Sequence, residues 1–375
     1  MSLPRVCFLG LDDLPVLSPA FNYLGAAGEP VQHTLLARAL VRRGFPVSMI
    51  VADHGQPDGM VVDGVTTYRA YRREAGVPVL RFVFPRWVGV MSALQRANPD
   101  VLYTSCAGIG VGQVAWFARQ RNLRTVFRAA SDTDCDPQKL LVNAWWDRLI
   151  YEYGLRRADS VLVQTQHQQQ MMNANYGLVS RIAGMLVEHG NADIPFAARD
   201  IAALWVSNLR HLKRPDLFLD LAQSAPEMAC NMVGGSMAGE SQIFTETESR
   251  ASGIPNLTFS GSVPYHDINP MFQRTRVFVN TSDVEGFPNT YLQAWAHGTP
   301  VVAFFDPDGV IARERLGFVA QDLDEMRDAT RRLSSDQAEW TDASARCRRF
   351  MAAHFSEDQI LSEYVRALVP TAQSA

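Results

Sequence analysis

Two short segments in the second half of the chain carry charged residues next to predicted strand and helix ends, a placement that suits anion binding. In the first, Glu285 precedes Gly286-Phe287-Pro288-Asn289, where a helix is predicted to begin near Pro288. Backbone amides at a helix start can bind phosphate or sugar oxygens, helped by the helix dipole. The Glu285 carboxylate can accept hydrogen bonds from hydroxyl groups. An ordinary capping carboxylate beside loop glycines would look the same, so this segment alone leaves both interpretations open.

The second segment, Ser207-Asn208-Leu209-Arg210-His211-Leu212-Lys213, is rich in cations and follows a predicted strand. Fixed positive charge at such a place stabilises a phosphate group and strengthens its hydrogen bonds. The alternative is a solvated basic turn that precedes the predicted helix Pro215–Gln223. Lys213 is one of only two lysines in the chain, the other being Lys139.

The elements that must position these segments are short apolar strands that alternate with amphipathic helices such as Val31–Arg43. This alternation is typical of doubly wound parallel α/β sheets. It pauses near Val187–Ala198 and then starts again, which predicts two such domains facing a cleft. The predicted strands are Val6–Leu9, Pro46–Val51, Val65–Tyr68, Val101–Thr104, Thr125–Phe127, Ser160–Val163, Ala203–Val206, Cys230–Val233, Leu257–Phe259, Val277–Val279 and Pro300–Phe304.

Composition supports this view and excludes several classes of protein. The 375 residues are 47% hydrophobic and 20% charged, which excludes a disordered chain or a coiled coil. Residues 1–190 hold 19 Lys and Arg against 15 Asp and Glu, whereas residues 191–375 hold 16 against 24. An acidic chain without a basic–aromatic motif is not expected to bind nucleic acid. Five scattered cysteines, no signal-peptide pattern and no long apolar run predict a reduced, soluble, cytoplasmic chain.

The two charged segments resemble motifs of the family 4 retaining glycosyltransferases, which have two Rossmann-like domains in the GT-B architecture. The family motif has a Glu, seven residues, a second Glu and then Gly-Thr-Pro-Val-Val. Here Glu285 and the run Gly298-Thr299-Pro300-Val301-Val302 match it, while Gln293 stands in the second Glu position. The resemblance implies that Glu285 contacts the transferred sugar. Gln293 would contact the nucleotide ribose through an uncharged amide.

The resemblance extends to the basic segment, whose family counterpart holds the donor diphosphate. Lys213 occupies the family's Lys position, Asn208 stands where an Arg is usual, and Arg210 is the candidate to supply that guanidinium. Gly25-Ala26-Ala27-Gly28-Glu29 resembles the family's first glycine-rich loop. The resemblance implies a donor-binding set made of Gly28, Ser207, Asn208, Gly261, Gly286, Phe287, Pro288, Asn289 and Gln293.

Two histidines of the family are missing from the first half. Ser105-Cys106 replaces one, and Arg128-Ala129-Ala130-Ser131-Asp132 replaces the run with the histidine that faces the transferred sugar. Asp132 or Asp134 is the candidate to contact sugar or acceptor instead, and Asp132 is the residue we place in the predicted catalytic set with Glu285, Lys213 and Arg210. A C-terminal helix from Phe355 to Tyr364 resembles the family helix that crosses back to the first domain, which gives predicted domains of 1–188, 189–352 and 353–375.

Other patterns are weaker. Asp132-Thr133-Asp134 contains a DxD tripeptide, but DxD metal sites belong to the other glycosyltransferase architecture, so we expect no obligatory metal or other cofactor. Asp136-Pro137 is predicted to open the helix that carries Trp145 and Trp146. The run 108–112 reads GxGxG rather than the GxGxxG of dinucleotide sites. The run 81–91 mixes arginines with large apolar residues, which suits a membrane-surface helix but fits better a helix packed on the sheet.

The resulting prediction is a retaining glycosyltransferase. Its substrates would be a UDP-, GDP- or ADP-linked sugar and a glycan or lipid-linked acceptor in cell-surface polysaccharide or glycolipid assembly. It would be cytoplasmic, with a peripheral contact at the inner membrane surface as an option. The alternatives are a GT-B nucleotide-sugar epimerase, a nicotinamide-dependent oxidoreductase and a non-catalytic nucleotide-sugar binding protein.

Overall fold

The computed structural model describes residues 3–21, 28–77, 80–142, 144–188, 194–236 and 240–369. These residues form two compact units: unit 1 comprises residues 3–21, Gly28–Leu186 and 357–369, and unit 2 comprises Val187–Ser356. The divisions thus fall after Leu186 and Ser356, where the sequence predicted them after residues 188 and 352. The predicted glycine loop at 25–27 and most of the predicted boundary loop, 189–193, lie outside the described residues.

Unit 1 is built on an eight-stranded sheet in the order β3-β4-β2-β1-β5-β6-β7-β8, parallel throughout except for the pair β3 and β4. The central strand β1 is buried along its whole length, as expected for a parallel strand covered on both faces. The strands are β1 Val6–Leu9, β2 Val47–Val51, β3 Met60–Val62, β4 Val65–Arg69, β5 Val101–Ser105, β6 Arg124–Arg128, β7 Ser160–Val163 and β8 Arg181–Ile182.

Helices cover both faces of this sheet. They are α1 Leu14–Leu17, α2 Gly28–Arg42, α3 Val88–Ala97, α4 Ile109–Arg121, α5 Trp145–Leu155, α6 Gln166–Tyr176 and the C-terminal α14 Glu357–Leu368. Successive side chains of a strand point to opposite faces. Cys7 and Leu9 of β1 pack with α3 and α4, whereas Phe8 contacts His33 of α2. The helices α3 to α5 therefore share one face, and α2 lies on the other, where it contacts α14.

Unit 2 has a six-stranded, wholly parallel sheet in the order β11-β10-β9-β12-β13-β14. Its strands are β9 Ile201–Val206, β10 Cys230–Val233, β11 Leu257–Phe259, β12 Thr275–Asn280, β13 Val301–Ala303 and β14 Gly317–Val319. Its helices are α7 Pro215–Ser224, α8 Ser241–Ala251, α9 Tyr265–Gln273, α10 Asn289–Ala296, α11 Val310–Glu314, α12 Leu323–Ser335 and α13 Gln337–His354. The predicted pair of doubly wound parallel sheets is confirmed.

A buried arginine holds the amino-terminal side of the unit 2 sheet together. Arg199, which is 1% exposed, donates hydrogen bonds to the carbonyl oxygens of Thr275 and His297 and to the hydroxyl of Thr299. It also stacks over the ring of Trp340, with the guanidinium carbon 4.7 Å from the ring centroid. A buried cation is tolerated when its donors are all used in this way. Arg199 thereby fixes the start of β9 to the start of β12 and to the turn before β13.

The structure departs from the sequence prediction at short or irregular elements. The strands β3, β8 and β14, of two or three residues each, were not predicted. The prediction that Asp136 opens the helix with the two tryptophans is wrong: Asp136 ends a 3-10 turn over Asp132–Cys135, and α5 begins at Trp145. Instead of one helix, the run 81–91 contains a 3-10 turn, a π-turn over Val83–Trp87 and the start of α3. No helix among the described residues is long and apolar enough to span a bilayer.

We predict that Gly298→Ala destabilises unit 2. Gly298 has a φ of +66°, and an added Cβ would lie 2.5 Å from Arg348 Nε and from Ser344 Oγ of α13. The left-handed backbone costs about 1–2 kcal/mol and the overpacking about 1–3 kcal/mol, so the free energy of unfolding should fall by their combined amount. Urea unfolding followed by circular dichroism measures it.

Gly309→Ala is the matched control for this prediction. Gly309 has nearly the same φ, +67°, but an added Cβ there meets nothing within 4 Å. In the Gly309→Ala variant, the free energy of unfolding should fall only by the cost of the left-handed backbone. Equal destabilisation of the two variants would show that the contact with α13 contributes nothing.

Candidate functional site

Strand pairing in unit 2 brings the two charged segments of the sequence together. Strand β9 lies directly beside β12 in parallel, with Ala203 opposite Val277 and Leu204 opposite Phe278. Parallel neighbours end at the same edge of a sheet, so the segments 207–214 and 281–288 emerge side by side. In open α/β sheets this carboxyl edge is where ligands bind.

The closest contact between these segments joins the two residues that the sequence singled out first. Lys213 Nζ donates a hydrogen bond to Glu285 Oε1 at 2.6 Å. The Lys213 side chain is 17% exposed and that of Glu285 is 13% exposed, so the pair is screened less than a surface ion pair but still reaches solvent. An ammonium group has three donors, so Lys213 can bind an anionic ligand while it keeps Glu285.

Thr281 holds the backbone of the two segments in register behind this pair. Its hydroxyl accepts a hydrogen bond from Trp205 Nε1 at 2.9 Å and lies 2.8 Å from the carbonyl oxygens of both Lys213 and Arg214. In addition, the backbone N–H of Asp283 donates a hydrogen bond to the Leu212 carbonyl. The turn that carries Lys213 is thus anchored to the loop that carries Glu285.

The neighbouring arginines point to different partners. Arg210 Nε lies 3.4 Å from Glu240 Oε1 at the start of α8, and the same carboxylate accepts from His211 N. Arg214 has a left-handed backbone and pairs with Asp216 and Asp283. The structure therefore places Arg210 at the carboxyl edge, with its guanidinium group beside Glu240.

Glycines allow the strand-end loops on the other side of β9 to pack closely. Gly234 follows β10, and a Cβ there would lie 2.7 Å from the Ser207 carbonyl oxygen. Gly234 N donates to the carbonyl of Gly261, which has a left-handed φ of +60°. Gly234 thus lies between Ser207 and Gly261, two predicted donor-binding residues in the loops on either side of it.

The helix after Glu285 begins where the sequence predicts. Pro288 is the N-cap residue and α10 starts at Asn289, so its first backbone amides face the same edge as Glu285. The ring of Phe287, which lies just before α10, contacts the ring of Trp295 on that helix. Gln293 is 9% exposed, and its Nε2 donates to Asn269 Oδ1 at 3.1 Å. Gln293 of α10 is therefore largely buried at the contact of this helix with α9.

Two predicted site residues belong to unit 1. Gly28 is the first residue of α2 and is exposed. Asp132 lies in the 3-10 turn after β6, where its Oδ1 accepts from Gln168 Nε2 at 3.0 Å. Its neighbour Asp134 is buried and accepts hydrogen bonds from the backbone of Ala107 and Ala130, which gives it a structural role. Burial raises the pKa of Asp134, and these backbone donors lower it in part.

Two other site types receive no support from the geometry. Within the described residues, no group of three or more His, Cys, Asp or Glu side chains lies close enough to hold a metal ion. Two glycines of the run 108–112 serve packing: Gly110 faces Leu9 of β1, and Gly112 lies against the Ile150 backbone of α5. Close packing therefore explains Gly110 and Gly112, whereas a Cβ at Gly108 would meet nothing within 4 Å.

Comparison with known families decides the class of the protein. Residues 28–183 match the glycosyl transferase 4-like domain, and residues 200–336 match the glycosyl transferases group 1 domain. The chain belongs to the group 1 glycosyltransferases. The first match covers strands β2 to β8 of unit 1 but not β1, and the second covers all six strands of unit 2.

Several solved structures share the fold over nearly the whole chain. Sucrose-phosphate synthase of Thermosynechococcus elongatus is 18% identical with a TM-score of 0.74, over 96% of this chain and 97% of that one. HepE of Anabaena, solved with UDP and glucose, is 15% identical with a TM-score of 0.74, over 97% and 99%. WaaG, a glycosyltransferase involved in lipopolysaccharide biosynthesis, is 14% identical with a TM-score of 0.70, over 98% and 100%. No curated protein sequence matches the chain. The protein is thus a glycosyltransferase of GT-B type.

Sequence reasoning missed the residues that position the charged pair. Thr281 and Trp205 were not identified, because a hydroxyl that accepts from an indole across two strands leaves no local pattern. Glu240, the partner of Arg210, is likewise 30 residues away. Gly234-Gly235 directly after β10 was a usable signal, since paired glycines at a strand end favour close backbone approach.

We predict that Thr281→Val loosens the turn that carries Lys213. Valine keeps the shape but leaves the Trp205 indole N–H and two carbonyl groups without the hydroxyl, which should lower the free energy of unfolding by about 1–3 kcal/mol. Thr281→Ser keeps the hydroxyl and should stay within about 1 kcal/mol of the wild type. Urea unfolding compares the three proteins, and an equal loss in both variants would contradict the role of the hydroxyl.

Proposed function

We propose that this glycosyltransferase moves a sugar from a nucleotide-sugar donor bound by unit 2 to a hydroxyl group of a glycan or lipid-linked acceptor bound by unit 1, with retention of anomeric configuration. The observation that carries the proposal is the contact between Lys213 and Glu285 at the carboxyl edge of the unit 2 sheet. These are the two residues at which the sequence resembles the donor motifs of the family. Cell-surface polysaccharide or glycolipid assembly is the pathway class that fits such an acceptor.

Lys213 has the chemistry to bind the donor diphosphate. Loss of the sugar leaves negative charge on the diphosphate, and a fixed ammonium group stabilises that charge as it develops. Because residues 191–375 carry an excess of acidic side chains, this stabilisation must come from a local cation. The amide groups at the start of α10, near Asn289, add donors on the same edge.

Glu285 has the chemistry to orient the transferred sugar. Its Oε1 accepts from Lys213, and its remaining acceptor positions can bind sugar hydroxyl groups. Departure and attack on the same face of the sugar need no enzymic nucleophile, since the leaving phosphate itself takes the proton of the acceptor. Rate acceleration then rests on positioning and electrostatics, which a rigid pair of charged groups can supply.

The acceptor half carries a surface that suits a membrane-bound acceptor. The outer side of the helix layer α3–α5 has a set of exposed apolar side chains, here called the apolar face: Leu80, Val83, Phe84, Val88, Trp116, Leu141, Trp145, Trp146 and Leu149. The ring of Trp116 of α4 contacts that of Trp87 next to α3 at 5.8 Å, and Trp145 contacts Trp146 at 5.7 Å. Trp145 is 70% exposed and Phe84 is 67% exposed.

Cations accompany this face. Arg81, Arg119 and Arg121 are exposed on the same segments. Apolar side chains that insert at the lipid boundary, with cations at the level of the headgroups, are the features of a peripheral membrane surface. We therefore place the enzyme in the cytoplasm, with unit 1 in peripheral contact with an anionic membrane.

The donor site is tested first by ligand binding. UDP, GDP and ADP and their sugars are compared for the increase in melting temperature that they cause, since a ligand that binds only the folded state stabilises it by mass action. The sugar nucleotide that binds best is then used as donor. Transfer without inversion supports the proposal, epimerisation without an acceptor supports an epimerase, and binding without turnover supports a non-catalytic binding protein.

Lys213→Ala is expected to lower turnover by a factor of about one hundred or more, because the leaving diphosphate loses its cation. The matched control is Lys139→Ala, which removes the only other lysine of the chain, an exposed residue of unit 1. Both variants should melt near the wild-type temperature. Near-normal transfer by Lys213→Ala would remove the role assigned to this residue.

Membrane contact is tested by flotation with vesicles of phosphatidylglycerol and phosphatidylethanolamine. We expect the wild type to float with these vesicles, and the double variant Trp145→Ser/Trp146→Ser to lose about 80% of the bound fraction through its smaller apolar area. Val179→Ser is the control, since Val179 is 90% exposed but lies outside the apolar face. Equal flotation of all three proteins would exclude the apolar face as the contact.

A further inference from the structure

A chain of four hydrogen-bonded polar side chains lies at the carboxyl edge of the unit 1 sheet and is not used by the donor site. Asp13 Oδ2 lies 2.8 Å from His33 Nδ1, and His33 Nε2 lies 2.8 Å from Ser105 Oγ. Ser105 Oγ donates to Glu29 Oε1 at 2.9 Å. The chain Asp13–His33–Ser105–Glu29 joins the loop after β1, the first turns of α2 and the end of β5.

Its position in the fold points to a ligand. The polypeptide of unit 1 runs from β1 outward to β2 on one side and later returns to β5 on the other side of β1. The point between β1 and β5 is therefore the topological switch point of this sheet, where ligands of doubly wound sheets bind. Asp13 and Ser105 follow or end those two strands, and Glu29 stands in the first turn of α2 above them.

Burial decreases along these hydrogen-bonded side chains, from Asp13 and His33 to Glu29. The side chains of Asp13 and His33 are each 1% exposed, whereas that of Glu29 is 30% exposed. Burying an ion pair is costly unless its hydrogen bonds are satisfied. Here three buried or nearly buried groups support one carboxylate that reaches the surface, which is the arrangement expected when that carboxylate has to be held in place.

The hydrogen-bond directions define what Glu29 can bind. Ionised carboxylates only accept, so a protonated His33 donates from Nδ1 to Asp13 and from Nε2 to Ser105, and the Ser105 hydroxyl donates a hydrogen bond to Glu29. The remaining lone pairs of Glu29 are acceptors and call for a donor such as a hydroxyl group. Burial lowers the pKa of His33, but the charges of Asp13 and Glu29 and the Asp13 hydrogen bond outweigh it and raise the pKa overall.

Surrounding groups reinforce this arrangement. Arg128 at the end of β6 lies opposite Ser105 and is 1% exposed, and its Nε and Nη2 have no hydrogen-bond partner within the described part of the chain. Its positive charge interacts favourably with the Glu29 carboxylate. Tyr103 packs between His33 and Tyr364 of α14, at ring distances of 5.5 and 6.3 Å. The C-terminal helix therefore closes the buried end of the cluster.

We propose that Glu29 binds a hydroxyl group of the acceptor, and that Ser105, His33 and Asp13 are positioning residues that fix its carboxylate. The acceptor chemistry is that of a polyhydroxylated ligand, such as a sugar of a glycan or glycolipid headgroup. This inference rests on the proposed function, because it takes unit 1 as the acceptor half.

The test compares the wild type with Glu29→Gln, using nucleotide binding and acceptor kinetics as separate readouts. The acceptor probes are free hexoses and octyl glycosides, which offer hydroxyl groups alone. Glu29→Gln should raise the acceptor KM about tenfold and lower kcat/KM about a hundredfold, since an amide is a weaker acceptor than a carboxylate. Nucleotide binding measured by calorimetry should stay within about twofold of the wild type.

Three further variants separate contact from structure. Glu74→Gln makes the same change at an exposed glutamate of unit 1 and should leave both readouts unchanged. Glu29→Asp keeps the charge and should recover part of the lost kcat/KM, which a purely structural role would not predict. Ser105→Ala should raise the acceptor KM by a smaller factor, about threefold, because it frees Glu29 without removing it.

Two results would overturn the inference while the proposed function stands. One is an acceptor KM of Glu29→Gln equal to that of the wild type with normal nucleotide binding. The other is a wild-type enzyme that hydrolyses its donor but transfers to none of the hydroxyl probes. A wild type that binds no nucleotide or nucleotide sugar would instead refute the proposed function itself.

Discussion

The candidate site depends above all on the parallel pairing of β9 with β12. This register makes both strands end at one edge, so that Lys213 and Glu285, 72 residues apart in the chain, meet at 2.6 Å. A shift of one residue would send the side chains of a whole strand to the opposite face. The hydrogen bonds of Thr281 to both segments make such a shift costly, because buried donors and acceptors would lose their partners.

The opposite end of the same strand pair is fixed by a different kind of interaction. Arg199 is a fully buried cation whose donors are used by backbone carbonyls and by Thr299, so the start of β9 is joined to β12 and to the Gly-Thr-Pro turn. The site is consequently built on strands restrained at both ends. A rigid frame suits a reaction that depends on placing charges, because little reorganisation is then needed when the ligand binds.

The two units use buried charge in contrasting ways. In unit 2, Lys213 and Glu285 lie near the surface and can exchange part of their mutual contact for a ligand. In unit 1, Asp13 and His33 are buried, and Glu29, the last of the four hydrogen-bonded side chains, is partly accessible to solvent. Burial raises the pKa of the Asp13 carboxyl, and the adjacent His33 offsets that rise only in part, so the charge on each group depends on the other. The position of Glu29 thus depends on groups deep in the sheet.

The sequence by itself determined the fold class, the strands with long apolar runs and the identity of Lys213 and Glu285 as residues of interest. These follow from local signals: periodicity, a proline and glycine at the helix ends, and charges next to predicted strand ends. Only the tertiary structure decided which of them meet. It joined Lys213 to Glu285, placed Arg210 beside Glu240 and buried Gln293 against Asn269. It also assembled Asp13, His33, Ser105 and Glu29, since partners separated by strands and helices leave no common pattern along the chain.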